Sequence, residues 1–351
     1  MDFLNYNVMV NKSNVKYSKS NINKMKKVLV TGASGFIGST LVDMLLESGD
    51  YEVFAGIRKT SSKKYLQDNR IKFIDLNYTD VNSLAQQLKS ENFETIFHLA
   101  GLTKAKMKED FFKVNFEFTK NLVEAIKELP VKLIYMSSFA AHGPAKANPF
   151  IQARVTDVNE PNTWYGKSKL KAEEYINKNC TNKYIILRPT GVYGPRETDY
   201  FVYFQTIKNH IDATLGRPEQ RLTFIYGKDL CKACILAANS EVSGKTYFVS
   251  DGNLYLDTEF AKITKDILKT WVISIRFPLW IVKGISSFLD WFGRIIGKQF
   301  TLNKDKYNIL AARNWDCDIE DLKNDLGFSP DYDLKRGCEE AIKWYKDNKW
   351  L

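Results

Sequence analysis

Tyr165 and Lys169 stand four residues apart, a spacing that puts both on one face of a helix and brings the ammonium beside the phenol. A free phenol titrates at about 10. An adjacent cation, together with the positive charge of a bound oxidised cofactor, favours the phenolate and moves that value toward neutral pH. A tyrosine tuned in this way gives a proton to a carbonyl oxygen or takes one from an alcohol. Ser138, just past the apolar run 133–137, is placed to hydrogen-bond the same substrate oxygen. Tyr-x-x-x-Lys alone is common by chance, and for an isolated pair a solvated Tyr and Lys is the default. Its place after a fifth strand pattern and after Ser138 gives it weight.

The second constellation is Thr-Gly-Ala-Ser-Gly-Phe-Ile-Gly at 31–38, between the apolar run 28–30 and the helical pattern Leu41, Val42, Leu45, Leu46. Gly32 permits a sharp exit from a strand, Gly35 lets backbone approach a pyrophosphate, and Gly38 allows the helix to pack closely on the sheet. The N–H groups around Ser34, Gly35, Phe36 and Ile37 then face an anion at a helix N-terminus. A dinucleotide is the implied ligand. Where the second strand ends, a carboxylate would hold the ribose hydroxyls of NAD. The chain has Ile57-Arg58-Lys59, and no acid until Asp68. Arg58 and Lys59 suit a 2′-phosphate, so NADP(H) is favoured, with NAD(H) the alternative.

To hold these groups together the chain needs alternating strands and helices. Strand patterns fall at 28–31, 52–57, 72–74, 95–98, 132–137 and 184–188, and helical patterns at 38–47, 81–89, 111–127 and 165–178. That alternation predicts an α/β protein with a doubly wound parallel sheet of Rossmann type. Gly32, Arg58, Asp75, Gly101 and Ser138 all fall at the carboxyl ends of strands, where such sheets bind ligands. The expected organisation is a disordered basic tail at 1–24, a dinucleotide-binding domain at 25–190 and a substrate-binding region at 191–351. Met25 is a candidate alternative start of translation.

The 351 residues carry a net charge of +10. Residues 1–24 contribute +3, from four lysines and Asp2. Residues 271–313 contribute +5, from seven basic residues against Asp290 and Asp305. The dinucleotide region is near neutral, so nucleic-acid binding is not expected. Five scattered cysteines and no secretory signal suit a reduced, cytoplasmic protein. Cys231 and Cys234 form a Cys-x-x-Cys within a helical pattern, without a second ligand pair, so no metal is expected. Segment 277–296 is amphipathic, with Ile281, Ile285, Phe288, Phe292, Ile295 and Ile296 at helical spacing, Pro278 at its start and Gly297 at its end. Lys283, Asp290 and Arg294 argue against a transmembrane span. Packing on the substrate region is the default, and peripheral contact with an anionic membrane surface the alternative.

Taken in order, several motifs resemble those of the extended short-chain dehydrogenases/reductases, also called the NAD-dependent epimerase/dehydratase family. They are the 31–38 turn, Asp75-Leu76, His-Leu-Ala-Gly at 98–101, Val114-Asn115, Ser-Ser-Phe-Ala-Ala-His-Gly at 137–143, Tyr-Gly-Lys-Ser-Lys at 165–169 and Leu-Arg-Pro-Thr-Gly-Val-Tyr-Gly-Pro at 187–195. The resemblance implies that Asp75 and Leu76 contact adenine and that Leu99, Ala100 and Gly101 line the cofactor. It further implies that Lys169 also holds the nicotinamide ribose, and that Pro189 to Val192 border the nicotinamide. It also implies a homodimer formed through helices 111–127 and 165–178.

Departures from the motifs separate the chemistries of that family. Sugar 4,6-dehydratases place Asp-Glu after the catalytic Ser or Thr, whereas Phe139-Ala140 follow Ser138 here. Epimerases carry Asn where Gly191 stands. Arg221 does match a phosphate-binding position of sugar-nucleotide enzymes, and His142, where Tyr is usual, is expected only to line a wall. The C-terminal part is more similar to the 3β-hydroxysteroid dehydrogenase and dihydroflavonol reductase branches. The expected function is therefore NAD(P)-dependent interconversion of a ketone and an alcohol on a hydrophobic small molecule. A sugar-nucleotide epimerase or reductase with tightly bound NAD is the alternative, and a dinucleotide sensor without chemistry is less favoured because Ser138, Tyr165 and Lys169 are all intact.

Overall fold

A computed structural model describes residues 25–216, 220–296 and 304–351. The expected tail at 1–24 and the helix stop at Gly297 lie outside the described residues. Seven strands build the central sheet: β1 Lys26–Thr31, β2 Tyr51–Gly56, β3 Lys72–Ile74, β4 Thr95–His98, β5 Lys132–Met136, β6 Tyr184–Pro189 and β7 Lys245–Val249. Their spatial order is β7-β6-β5-β4-β1-β2-β3, and every neighbouring pair is parallel. The order reverses direction between β1 and β4, which opens a crevice at their carboxyl ends.

Both faces of the sheet are covered, which is why its inner strands read as nearly unbroken apolar runs. Val28 and Val30 point into one core with Leu41, Leu45, Ile134, Leu230 and Leu322, under helices Phe36–Ser48, Gly227–Asn239 and Glu320–Leu326. Leu29 points the other way, into Leu84, Leu122, Ile126, Leu133 and Ile176, under helices Val81–Glu91, Phe118–Ile126 and Trp164–Asn179. Truncating a fully buried leucine such as Leu41 to alanine would cost about 2–5 kcal/mol.

Two differences from the sequence reading concern how the sheet and its helices are completed. The sheet does not close within 25–190, because β7 pairs with β6 from Lys245↔Ile185 to Val249↔Pro189 and helix Gly227–Asn239 belongs to the same core. The chain leaves after β6, builds part of the substrate region, and returns to cover β6, whose apolar residues would otherwise form an open edge. The helix expected at 111–127 is also not uniform. It runs as Lys108–Phe111, a π-helical stretch Phe112–Glu117, and Phe118–Ile126. The wider turn directs Asn115 inward, where its side chain is fully buried and bonded.

Beyond β6, a separate aromatic core of Tyr193, Phe204, Phe224, Tyr226, Phe260 and Tyr345 anchors the C-terminal helix Leu334–Asp347. Three two-stranded ladders frame this region: Gly191–Tyr193 with Phe224–Tyr226, Arg221–Leu222 with Tyr255–Leu256, and Ile211–Leu215 with Ile273–Phe277. Helix Leu279–Ile296 follows directly and packs against helix Lys304–Ala311.

Candidate active site

The turn after β1 is built by its glycines. Gly32 adopts φ +68°, and a Cβ there would lie 2.8 Å from the Ala100 nitrogen, so a side chain would force β1 and β4 apart. A Cβ on Gly38 would overlap the Gly32 carbonyl. Gly35 is the open member of the three: it is exposed, and it is the N-cap of helix Phe36–Ser48, which has no side-chain cap among the described residues. Uncapped N–H groups at an exposed helix start, on a backbone that can approach closely, fit a pyrophosphate. The Phe36 ring itself packs toward Gly194 and Gly227, so that residue's side chain is structural and only its backbone faces the cradle.

The remaining expected cofactor residues surround the same crevice. Arg58 and Lys59 are exposed just beyond β2, whose last residue, Gly56, pairs with Thr31 and Ile74. Asp75 is exposed beyond β3, its carbonyl accepting from Gln87 at 3.0 Å, while Leu76 is buried in the core. Leu99 and Ala100 are half-buried and Gly101 is exposed. Pro189 is buried at the end of β6 and Val192 is half-buried.

Ser138, Tyr165 and Lys169 converge at the carboxyl end of β5. Ser138 caps the short helix Phe139–His142 by accepting from the Ala140 N–H at 3.1 Å, and its hydroxyl lies near the Tyr165 phenol. Lys169 is buried, its Nζ donating to the Met136 carbonyl at 2.8 Å and lying 4.9 Å from the Tyr135 ring centre. A Cβ on Gly101 would stand 3.2 Å from that same Nζ, so the loop after β4 closes over the lysine. Burial pushes the Lys169 ammonium down to about 8, and Glu173, one turn further on, pulls it back up.

In the chain alone, Tyr165 is shifted in the opposite direction from that expected with an oxidised nicotinamide bound. Its phenol is pushed up rather than down, because burial disfavours the phenolate and the nearby Ser138 hydroxyl offsets only part of that cost. The ammonium of Lys169 is committed to a backbone carbonyl. The residue therefore stands as a protonated donor in the chain alone.

A hydrogen-bonded relay that sequence reasoning missed joins the glycine turn to this helix. The Ala100 N–H donates to Thr31 Oγ1 at 3.1 Å, which meets His98 Nδ1 at 2.8 Å, and His98 Nε2 meets Thr119 Oγ1 at 2.9 Å. Thr119 Oγ1 donates to the Asn115 carbonyl at 2.9 Å. That leaves it an acceptor toward His98, so the proton is assigned to Nε2 and Nδ1 accepts from Thr31. Asn115 donates to Ser168 Oγ at 3.0 Å, and Ser168 donates to the Tyr165 carbonyl at 2.7 Å. His98 and Asn115 stand in motifs that the sequence displays, but their partners come from four separate segments.

Other candidates have local roles. Phe139 packs edge-on to Trp315 and beside Phe248, with His142 in the same cluster. Cys231 and Cys234 are buried in helix Gly227–Asn239, where burial pushes both thiols up, Cys234 to about 12. Arg221 and Arg313 both lie over the Phe150 ring, at 4.2 and 5.1 Å from its centre.

A Rossmann sheet with a glycine turn at β1 and a Ser-Tyr-Lys group beyond β5 defines an NAD(P)-dependent oxidoreductase of the extended short-chain dehydrogenase/reductase class. The chain belongs to the NAD dependent epimerase/dehydratase family, whose model matches residues 28–250. Among its relatives is the 3 beta-hydroxysteroid dehydrogenase/Delta 5-->4-isomerase of Monkeypox virus, 25% identical, with 91% of this chain and 99% of the relative covered. The UDP-glucose 4-epimerase of Vibrio cholerae is also 25% identical, with 91% and 95% covered. In fold, the UDP-glucose 4-epimerase of Thermotoga maritima, solved with UDP-glucose, matches with a TM-score of 0.74 at 21% identity, covering 92% of this chain and 99% of that one.

Proposed function

We propose that the chain interconverts a ketone and an alcohol on a hydrophobic small molecule, using NADP(H) in preference to NAD(H). The observation that carries this reading is the hydroxyl pair Ser138–Tyr165, held at the carboxyl end of β5 beside a buried lysine. The dinucleotide, when bound, supplies or takes up the hydride. Ser138 steadies the substrate oxygen, and Tyr165, kept protonated by its burial, gives that oxygen a proton in the reductive direction. Lys169 places positive charge beneath the site, where it stabilises negative charge developing on the phenol as the proton leaves. Phe139, locked among Trp315 and Phe248, leaves no carboxylate after Ser138 to drive elimination of water. Arg58 and Lys59 support NADP(H): both are exposed cations at the exit of β2, where a carboxylate would serve NAD.

A second reading is supported by Arg221 and Arg313, which converge on Phe150 and suit a substrate bearing a diphosphate. That arrangement fits a sugar-nucleotide enzyme with tightly held NAD. Titration with NADPH, NADP, NADH and NAD, after a check for retained dinucleotide, separates the two. A preference for NADPH of about tenfold, 1.4 kcal/mol, supports the first reading. Retained NAD, with thermal stabilisation by UDP- or dTDP-sugars, supports the second. Under either, Tyr165→Phe should remove most turnover and leave dinucleotide affinity largely unchanged, and full activity in that variant would overturn the assignment of the acid.

A further inference from the structure

Two consecutive elements of the substrate region are turned inside out. In the ladder of Ile211–Leu215 with Ile273–Phe277, Ile211 stands beside Ile273 and Ala213 beside Ile275. Alternate residues of a strand face opposite ways, and the face bearing Ile211, Ala213, Ile273, Ile275 and Phe277 is the exposed one. The alternate residues Asp212 and Thr214 turn inward and are buried. Buried Asp212 accepts from Tyr203 at 3.2 Å and from Ser274 at 3.1 Å, and Arg276 pairs with Asp257 at 3.0 Å.

After Pro278 the helix Leu279–Ile296 repeats the inversion. Among its described side chains, Val282, Ser286 and Gly293 are buried. Trp280, Ile285, Phe288, Trp291, Ile295 and Ile296 are exposed, Trp280 by 75%, Ile295 by 62% and Trp291 by 59%. At about 100° per residue, these six span a single arc of roughly 160°. The helix thus packs its smaller side chains against the protein and turns its largest apolar ones outward. Because buried Asp212 and half-buried Arg276 have their partners on the inner side of the preceding ladder, the outward apolar face is a feature of the fold and marks a surface that is covered in use.

We infer that this face docks on an anionic phospholipid bilayer. The exposed rings of Trp271, Trp280 and Trp291 have the apolar body and N–H tip that suit the headgroup boundary. Exposed Lys283 flanks the apolar arc. That cation complements anionic headgroups, at about 1 kcal/mol near the surface. It would repel a second copy of the same face. No described helix is long and apolar enough to cross a membrane, so this helix would lie along the surface. The inference is independent of which substrate the site takes.

Flotation of the full chain with vesicles of phosphatidylcholine alone, and of phosphatidylcholine and phosphatidylserine in equal parts, tests it. The chain should float with the anionic vesicles at low salt, with tryptophan emission shifted to the blue, and much less with the neutral ones. Trp280→Glu combined with Trp291→Glu should weaken that binding by at least about tenfold, and Lys283→Glu by about fivefold, with NADPH binding unchanged as the check on folding. A chain that stays in solution with anionic vesicles overturns the inference, as does a double variant that floats like the parent. So does a concentration-dependent dimer that the same double variant dissolves, because the face is then covered by a second copy.

Discussion

The carboxylate of Asp305 accepts the backbone N–H of Tyr165 at 3.3 Å, and that of Trp164 at 2.9 Å, from 140 positions further along the chain. Together with Thr163, whose hydroxyl accepts from Gly166 at 2.9 Å, it satisfies the first three N–H groups of the helix, those of Trp164, Tyr165 and Gly166. The Tyr165 helix is therefore closed by a residue of the helix Lys304–Ala311, which packs in turn on the amphipathic helix Leu279–Ile296.

Asp305→Ala removes an anion from a helix N-terminus and leaves two N–H groups without that acceptor. It should lower stability by about 1 kcal/mol, and turnover should fall several-fold while KM for the dinucleotide changes little. Asp305→Asn, which keeps an acceptor, should recover most of both. Thermal melts and steady-state kinetics on the two variants measure this, and equal losses in both would mean that charge, not the hydrogen bonds, is what matters.

Glu173 and Arg188 form a buried pair, with Arg188 Nε at 3.0 Å and an Nη at 2.5 Å from the carboxylate, which Ser137 also contacts. Glu173→Gln leaves a buried guanidinium without its counter-charge and should destabilise the fold by about 3–5 kcal/mol. It also removes the group that raises the Lys169 pKa, so the alkaline limb of a pH–rate profile should move to lower pH. An unshifted profile in a folded variant would separate Glu173 from the site.

His98 is buried between two threonines, and burial pushes its imidazole down to about 3. Its folded pKa lies below its unfolded one, so the unfolded chain binds the extra proton. The stability this provides is complete above about pH 6.5 and is lost as pH falls toward 3. Between pH 6.5 and 5 the loss should be about 2 kcal/mol. Denaturant midpoints across that window, compared with those of His98→Gln, would show it as a slope that the variant lacks.

Arg58 is exposed and caps no element, so Arg58→Ala should leave stability unchanged. If the guanidinium holds a 2′-phosphate, the variant should bind NADPH about tenfold more weakly and NADH equally well. Fluorescence titration of both dinucleotides decides it, and parallel losses for the two would remove Arg58 from cofactor selection.

Much of this protein is legible in local patterns. The glycines at 32, 35 and 38, the alternation of apolar runs and the four-residue step from Tyr165 to Lys169 are set by residues close in sequence, where strand and helix periods govern geometry. The tertiary structure decided what depends on distant partners. β7 came from beyond residue 190 because β6 needed an outer neighbour. Asp305, counted in the sequence only as one acid in a basic segment, became a cap for the Tyr165 helix. The relay from Thr31 to Ser168 draws on four segments. The Tyr165 phenol, expected to be lowered by Lys169 together with an oxidised nicotinamide, is raised in the chain alone, because desolvation depends on everything packed around a group, which sequence spacing does not specify. The amphipathic pattern after Pro278 was visible from the sequence, but only the packed chain showed that its apolar side faces out.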